Sequence, residues 1–282
     1  MLIIYKHNFE LKYKEIQPKF QGPFLRGGLG FHLKKLIPLK EYDYIFNTPT
    51  DTKIMKRYPE APKAFVIDLP YTPCLNMPFS LILFAKSNCY FDSLKKALIL
   101  HTQQNNIELF YNGCEESEGD FTQIKDTFTI KFETPTYITY KGRIWEKPEF
   151  HIIIRNLLRR IFIIGYYHYN VKLPIDFNTL IEDAQNVSLV DYDWQLEKTS
   201  RFSSRKNQVM SIFGYMGHAT YHVNDNVKHI QKLLGYLTLG EQIHAGKNTV
   251  FGCGKILLSY STPYYAGKIT QKDPPNGQHL TF

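Results

Sequence analysis

The stretch "TFTIKFETPTYITYKGRIWEKPEFHIIIRNLLRRIFIIGYY", residues 127–167, decides the fold. Its first part, 127–145, is rich in Thr, Tyr and Ile, the composition of strand. From Lys147 it becomes an apolar helix, with Arg155, Arg159 and Arg160 clustered by helical spacing. The same order, strand then helix, opens the chain. "LIIYKHNFELKYK" (2–14) alternates as a strand does. "GPFLRGGLGFHLKKLI" (22–37) carries Phe24, Leu25, Leu29, Leu33 and Leu36 at helix-compatible spacing, and Pro38 marks its end.

Both series continue in parallel. In the first half, 63–71 and 78–87 read as strands, 91–106 as a helix with Asp92 or Ser93 as cap, and 107–114 as strand. In the second half a polar connection (183–194) leads to a strand (211–223). A helix (225–244) follows, with Asn224 to Asn226 capping it and Val227, Ile230, Leu234 and Leu237 on one face, and 249–260 closes as strand. The proline-punctuated segment 40–62 reads as a loop. Two successive βαββαβ units predict an α+β chain of two tandem ferredoxin-like (RRM-like) domains, with helices on one face of each antiparallel sheet. The expected division is 1–118, then 119–265 with a glycine-rich loop, then a loose tail over 266–282, with the acidic "CEESEGD" (114–120) as linker.

A chain of 282 residues has room for two domains of roughly 100–150 residues each. Its 43% hydrophobic content supports a globular core. A net charge of +8 favours an anionic partner such as nucleic acid. The first apolar run is too short for a signal peptide, and no stretch approaches the roughly 20 apolar residues of a membrane span. A soluble, cytoplasmic protein is expected. Cys74, Cys89, Cys114 and Cys253 form no C-x-x-C pair and read as buried free thiols, with neither zinc site nor disulfide framework.

The segment "GEQIHAGKNTVFGCGKILLSY" (240–260) holds Gly246, Gly252 and Gly254, Lys247 and Lys255, and His244. It lacks the spacing of both nucleotide-binding glycine patterns. Two readings remain open: a tight turn with glycines at positive φ, or bare backbone beside lysine that suits a phosphate. His218 and His222 lie four apart within a strand pattern, and no H-E-x-x-H motif accompanies them, so a metal is not expected. His32 lies beside Arg26, Lys34 and Lys35, where neighbouring cations would disfavour its protonated form and suit a base. Arg143 and Lys147 precede the arginine-bearing helix, and "KTSRFSSRKNQ" (198–208) carries Lys198, Arg201, Arg205 and Lys206 among small hydroxyls, all suited to backbone phosphates.

Taken in order, several segments resemble the CRISPR-associated repeat-processing endoribonucleases, the Cas-six family of the RAMP superfamily. "LLGYLTLGEQIHAGKNTVFGCGKI" (233–256) is similar to that family's C-terminal signature of leucine-rich helix, histidine and G-K-x-T-x-F-G-x-G-K/R loop. "FETPTYITYKGRIWEKPEFHIIIRNLLRRI" (132–161) resembles the opening of its second domain, and 194–223 its basic-loop-and-strand segment. "PFLRGGLGFHLKKL" (23–36) resembles the R-G-x-x-G-x-x-L motif of the first helix, and "APKAFVIDLP" (61–70) fits too. The chain departs from relatives that carry cysteines after the first helix.

The resemblance implies one cut in each repeat of the precursor transcript without a metal or cofactor. The 2′-hydroxyl would attack the adjacent phosphorus and leave a 2′,3′-cyclic phosphate and a 5′-hydroxyl. His32 is then the expected base or acid, Lys34 or Lys35 the phosphate stabiliser, Tyr42 an assistant, and His244 the reserve. RNA binding is expected of Arg26, Arg143, Arg155, Arg159, Arg160, Arg201, Arg205 and Lys206, together with Gly246, Lys247, Gly252, Gly254 and Lys255. The expected partners are CRISPR repeat RNA, as precursor and as mature guide, subunits of a CRISPR effector complex, and a second copy of the chain; no membrane is expected. The alternatives are a non-catalytic RAMP subunit that holds guide RNA, and a general single-strand RNA-binding protein.

Overall fold

The computed structural model describes residues 2–17, 20–47, 61–72, 74–117, 127–203 and 207–260. Ten strands and six helices are used below. The first unit runs β1 (Ile4–Lys12), α1 (Gly22–Leu36), α2 (Leu39–Phe46), β2 (Phe65–Asp68), β3 (Asn76–Phe84), α3 (Phe91–Gln104) and β4 (Glu108–Ser117). The second runs β5 (Thr127–Thr136), a small hairpin of β6 (Thr139–Tyr140) and β7 (Arg143–Ile144), α4 (Phe150–Tyr169), α5 (Phe177–Gln185), β8 (Val187–Ser203), β9 (Gln208–Val223), α6 (Ile230–Ile243) and β10 (Ile256–Tyr260). Their sheets are ordered β2-β3-β1-β4 and β10-β5-β9-β8. Both place the first and third strands of a βαββαβ unit at the centre, with every neighbour antiparallel. The chain is therefore two tandem ferredoxin-like domains.

Strand periodicity sets the second sheet: Phe128, Ile130 and Phe132 are buried while Thr127, Thr129 and Lys131 turn outward. α4 is apolar around most of its circumference because it is covered on more than one side. Its inner face packs with Phe128, Phe132 and Tyr221 of its own sheet. The same cluster takes in Ile4, Val66, Ile82 and Phe84 from the first domain, each at most 2% exposed. A fully buried aliphatic or aromatic side chain contributes about 1.5–3 kcal/mol, so the two halves share one core.

Five features differ from the sequence reading. The segment read as a loop contains α2, where Ile45 and Phe46 are buried against the first core. The polar connection is instead α5 followed by β8, the strand needed to complete the second unit. The basic stretch Lys198–Arg201 lies on β8 and pairs with Phe213 to Met210 of β9, so it is strand, not loop. The asparagines 224 to 226 do not cap α6, which starts at Ile230; the His229 amide donates to Asp183 Oδ2 at 2.9 Å instead. Cys89 and Cys114 are exposed and Cys253 is buried, which corrects the expectation of four buried thiols. The tail 266–282 lies outside the described residues. Among the described residues, no helix is long and apolar enough to cross a membrane.

Candidate nucleic-acid interface

The segment before β2, the start of α1, α4, β8 and the glycine-rich loop meet around a cleft of about 620 Å³. Arg26, Lys63, Arg160, Arg201 and Lys247 line it. A smaller hollow beside it shares Arg160, Gly246 and Lys247 and adds Tyr137, Asn156 and Arg159. Among the described residues, neither is lined by an Asp or a Glu. Cations lining one cleft repel one another, so such a cleft is electrostatically favourable to an anion.

The cations are held in place from below. Arg26 and Arg201 lie over the Phe251 ring, at 5.2 and 4.8 Å from its centroid. Burial pulls both guanidiniums below their ordinary value, and the neighbouring Arg201 charge adds to this at Arg26. Arg26 Nε is buried without a hydrogen-bond partner. Arg160 donates from Nε to the Ile243 carbonyl at 3.0 Å and from Nη2 to Thr249 Oγ1 at 2.8 Å. It thereby ties the end of α6 to the loop, and burial lowers it to about 10.

The loop glycines serve the protein's own backbone. Gly246, Gly252 and Gly254 all have positive φ, at 74°, 83° and 78°. A Cβ would lie 2.4 Å from the Tyr137 oxygen at Gly246, 2.0 Å from Leu69 Cδ2 at Gly252 and 1.8 Å from the Ala245 oxygen at Gly254. The amides are spoken for as well. Gly246 N donates to Asn156 Oδ1 (2.8 Å), Lys247 N to Tyr137 O (3.0 Å) and Gly254 N to Pro135 O (3.2 Å). Of the two open readings the tight turn is the one observed, and only Gly246 and Lys247 of this set face the cleft. Lys255 is also turned inward, in an ion pair with Asp68 at 2.7 Å and close to Glu133 at 3.8 Å. That contact is a bond between domains, not a reserve of charge for phosphate.

The structure separates the two histidines from this cleft. His32 is 5% exposed. Its Nε2 lies 3.1 Å from Gln104 Oε1, and its ring is 6.0 Å from that of His101, both on α3. It is six residues from Arg26, so on a helix the two point roughly 120° apart. Lys34 and Lys35 are exposed on the last turn of α1, and Lys35 Nζ sits 3.9 Å from the centre of the Phe31 ring. Neither lines the cleft. His244 has no exposed surface; its Nδ1 is 3.0 Å from the Cys253 carbonyl and its Nε2 3.7 Å from Asp68 Oδ1. It braces the loop from inside, and the residue expected as the reserve lies out of reach of the cleft surface. Tyr42 stacks on Phe46 and lies beside Arg26; burial raises its hydroxyl, with the Arg26 charge opposing. His218 and His222 lie on β9, where four residues span about 13 Å, too far to share a metal.

Of the other expected RNA contacts, Arg155 and Arg159 are exposed on α4, Arg155 lying 5.7 Å from the Tyr140 ring centre. Arg143 is exposed on the β6–β7 hairpin and does not line the cleft. Arg205 and Lys206 lie outside the described residues. Sequence reading passed over Lys63. The available signal was a lone lysine between Pro62 and the apolar strand that follows.

Residues 130–256 match the family model described as CRISPR-associated endoribonuclease Cas6. No curated protein sequence matches the chain. Among solved structures, Thermus thermophilus Cas6 is similar with a TM-score of 0.59 and 15% identity, over 92% of this chain and 99% of that one. A Cas6 product complex is similar with a TM-score of 0.53 and 14% identity, over 91% of this chain and 99% of that one. A partial Cas6-RT-Cas1–Cas2 complex gives a TM-score of 0.58 and 11% identity, over 96% of this chain and 48% of that chain. At such identities these likenesses speak for the fold alone. The family match takes in α4, the β8–β9 hairpin and the glycine-rich loop, so it is the second domain that is similar to the Cas6 family of CRISPR-associated endoribonucleases.

Proposed function

We propose that this chain binds CRISPR repeat RNA and cuts it once per repeat without a metal, by attack of the ribose 2′-hydroxyl on the adjacent phosphorus. The products would be a 2′,3′-cyclic phosphate and a 5′-hydroxyl. The single observation that carries this reading is the cleft of Arg26, Lys63, Arg160, Arg201 and Lys247, which is free of lining carboxylates among the described residues. Fixed cations stabilise the charge that accumulates on phosphorus oxygens during in-line attack. They also bind any RNA backbone, which makes affinity fall as salt rises. DNA would be spared because it lacks the attacking hydroxyl.

His32, as base or acid, with Lys34, Lys35 and Tyr42, is the helical group that the family resemblance proposes, and none of the four lines this cleft. Burial of His32 against Gln104 favours a second reading, a RAMP subunit that holds guide RNA without cutting it. Cleavage of the source genome's repeat RNA in EDTA, beside a substrate with one 2′-deoxy sugar at the cut, decides between them. A single cut that survives EDTA and disappears in the deoxy control supports the enzyme. Tight binding with no cut, with or without magnesium, replaces it by the RNA-holding subunit. A second copy of the chain and effector-complex subunits are proposed partners, to be read from the mass of the protein with and without RNA.

A further inference from the structure

Lys63 stands on unusually well-fixed backbone for a residue that follows a proline-rich stretch. On one side the Pro62 carbonyl accepts from His168 Nε2 at 3.0 Å. On the other the Ala64 carbonyl accepts from Phe84 N at 3.1 Å and from Ser87 Oγ at 2.9 Å. Ala61 and Ala64 are buried. Its side chain is half-buried and lines the cleft. Fixed backbone anchors the root of the side chain at the wall of the cleft, where a proton donor to bound RNA must stand.

Its surroundings set its acidity. Arg26 faces it from α1, Arg160 and His168 from α4, Arg201 from β8 and Lys247 from the loop, while Tyr42 lies beside Arg26. Burial, and then the Arg26 charge, lower the Lys63 ammonium to about 8. The ammonium therefore persists at pH 7, gives up its proton more readily than an ordinary lysine, and is lost as pH rises past about 8.

We propose that Lys63 is a catalytic residue of the RNA cut, the acid that protonates the departing 5′-oxygen. This rests on the endoribonuclease reading above. The 2′-oxygen bonds to phosphorus as its proton passes to a solvent hydroxide, giving water. The bond from phosphorus to the 5′-oxygen breaks, its electron pair stays on that oxygen, and the oxygen takes a proton from Lys63 Nζ. Water then returns a proton to the neutral amine and regenerates hydroxide. Arg26, Arg160 and Arg201 hold the phosphate during the exchange.

The test uses the full chain and two repeat RNAs, one natural and one with sulfur in place of the 5′-oxygen at the cut. A sulfur leaving group departs without a proton. Lys63→Ala and Lys63→Arg should cut the natural RNA about 100-fold more slowly than the wild type. Both should cut the sulfur RNA within about 3-fold of it, since no acid is required there. RNA affinity, measured separately, should be nearly unchanged in Lys63→Arg, which keeps the charge but holds its proton too tightly. The wild-type rate on natural RNA should rise with pH through hydroxide and level off above about pH 8 as the ammonium is lost, and this break should be absent on sulfur RNA. An equal slowing on both RNAs would mean a phosphate contact or a structural role and overturns the proposal, as does a Lys63→Arg protein as fast as wild type. If Lys63→Ala does not fold, Lys63→Arg carries the test alone. A wild type that cuts neither RNA removes the endoribonuclease reading together with this one; a wild type that cuts while both variants match it removes only this one.

Discussion

Replacing Gly254 by alanine tests what the glycine-rich loop is for. Gly254 has a φ of 78°, and an added Cβ would lie 1.8 Å from the Ala245 carbonyl oxygen. That oxygen belongs to backbone that cannot swing aside cheaply. Ala245 N donates to the Gly254 carbonyl at 2.7 Å, and Gly254 N donates to Pro135 O at 3.2 Å. A left-handed backbone costs a non-glycine residue about 1–2 kcal/mol. Relieving the clash loosens two hydrogen bonds, each worth about 0.5–1.5 kcal/mol. The sum is about 2–5 kcal/mol, and for a chain of this size each kcal/mol lowers Tm by about 2–4 °C. Gly113 supplies the control: its φ is 102°, with nothing within 4 Å of an added Cβ. Gly113→Ala should meet only the backbone term, about 1–2 kcal/mol. Thermal melting of the three proteins, with RNA binding measured well below every transition, separates the possibilities. Gly254→Ala should melt lowest, by a clear margin over Gly113→Ala. If Gly254→Ala melts with the wild type and has lost its RNA, the glycine serves the ligand and the reasoning from packing is wrong.

Two further predictions concern acid. Burial pushes the Asp68 carboxyl up, but the neighbouring His244 imidazole, with Nε2 at 3.7 Å, and the Lys255 ammonium outweigh it and hold the group well below its ordinary 3.8. Its contribution is therefore present above pH 3.8 and fades as pH falls below it. Asp68→Asn should lose about 3–5 kcal/mol at pH 7, because Lys255 is left half-buried without its nearest partner; urea melts at pH 3 and pH 7 should then differ less than in the wild type, and an unchanged difference refutes the assignment. His168 runs on a different window. Burial first, with the Arg160 and Lys63 charges opposing the help of the Pro62 carbonyl, lowers it from 6.5 to about 4. The unfolded chain takes up that proton first, so stability declines as pH falls from 6.5 to about 4, by up to about 3 kcal/mol. His168→Gln should flatten denaturation midpoints across that range, and midpoints as steep as those of the wild type would refute it.

The fold was largely legible because local patterns carried it. Phe128, Ile130 and Phe132 alternate as a half-buried strand must, and the apolar length of 150–169 admits only a covered helix. α2 escaped notice because Lys40, Glu41 and Asp43 interrupt its eight residues and it is fixed by burying Ile45 and Phe46, a tertiary effect. β8 escaped because "VDYDWQLEKTSR" offers charge at nearly every second position, and only pairing with β9 along its length makes it strand. The cap of α6 could not be read locally either, since Asp183 reaches it from another helix.

By itself the sequence determined the two-fold βαββαβ order, the basic character of the chain and the family resemblance, because each depends on residue type at short spacing. Tertiary structure alone decided the site. Arg26, Lys63, Arg160, Arg201 and Lys247 come from five separate segments, and only the docking of two domains brings their charges to one cleft. The same docking turned Lys255 toward Asp68 and closed His244 away from solvent, since a buried charge is tolerable only beside its counter-charge. Charge can be counted along a chain, but which charges face a ligand and which face each other depends on burial, and burial is a property of the folded whole.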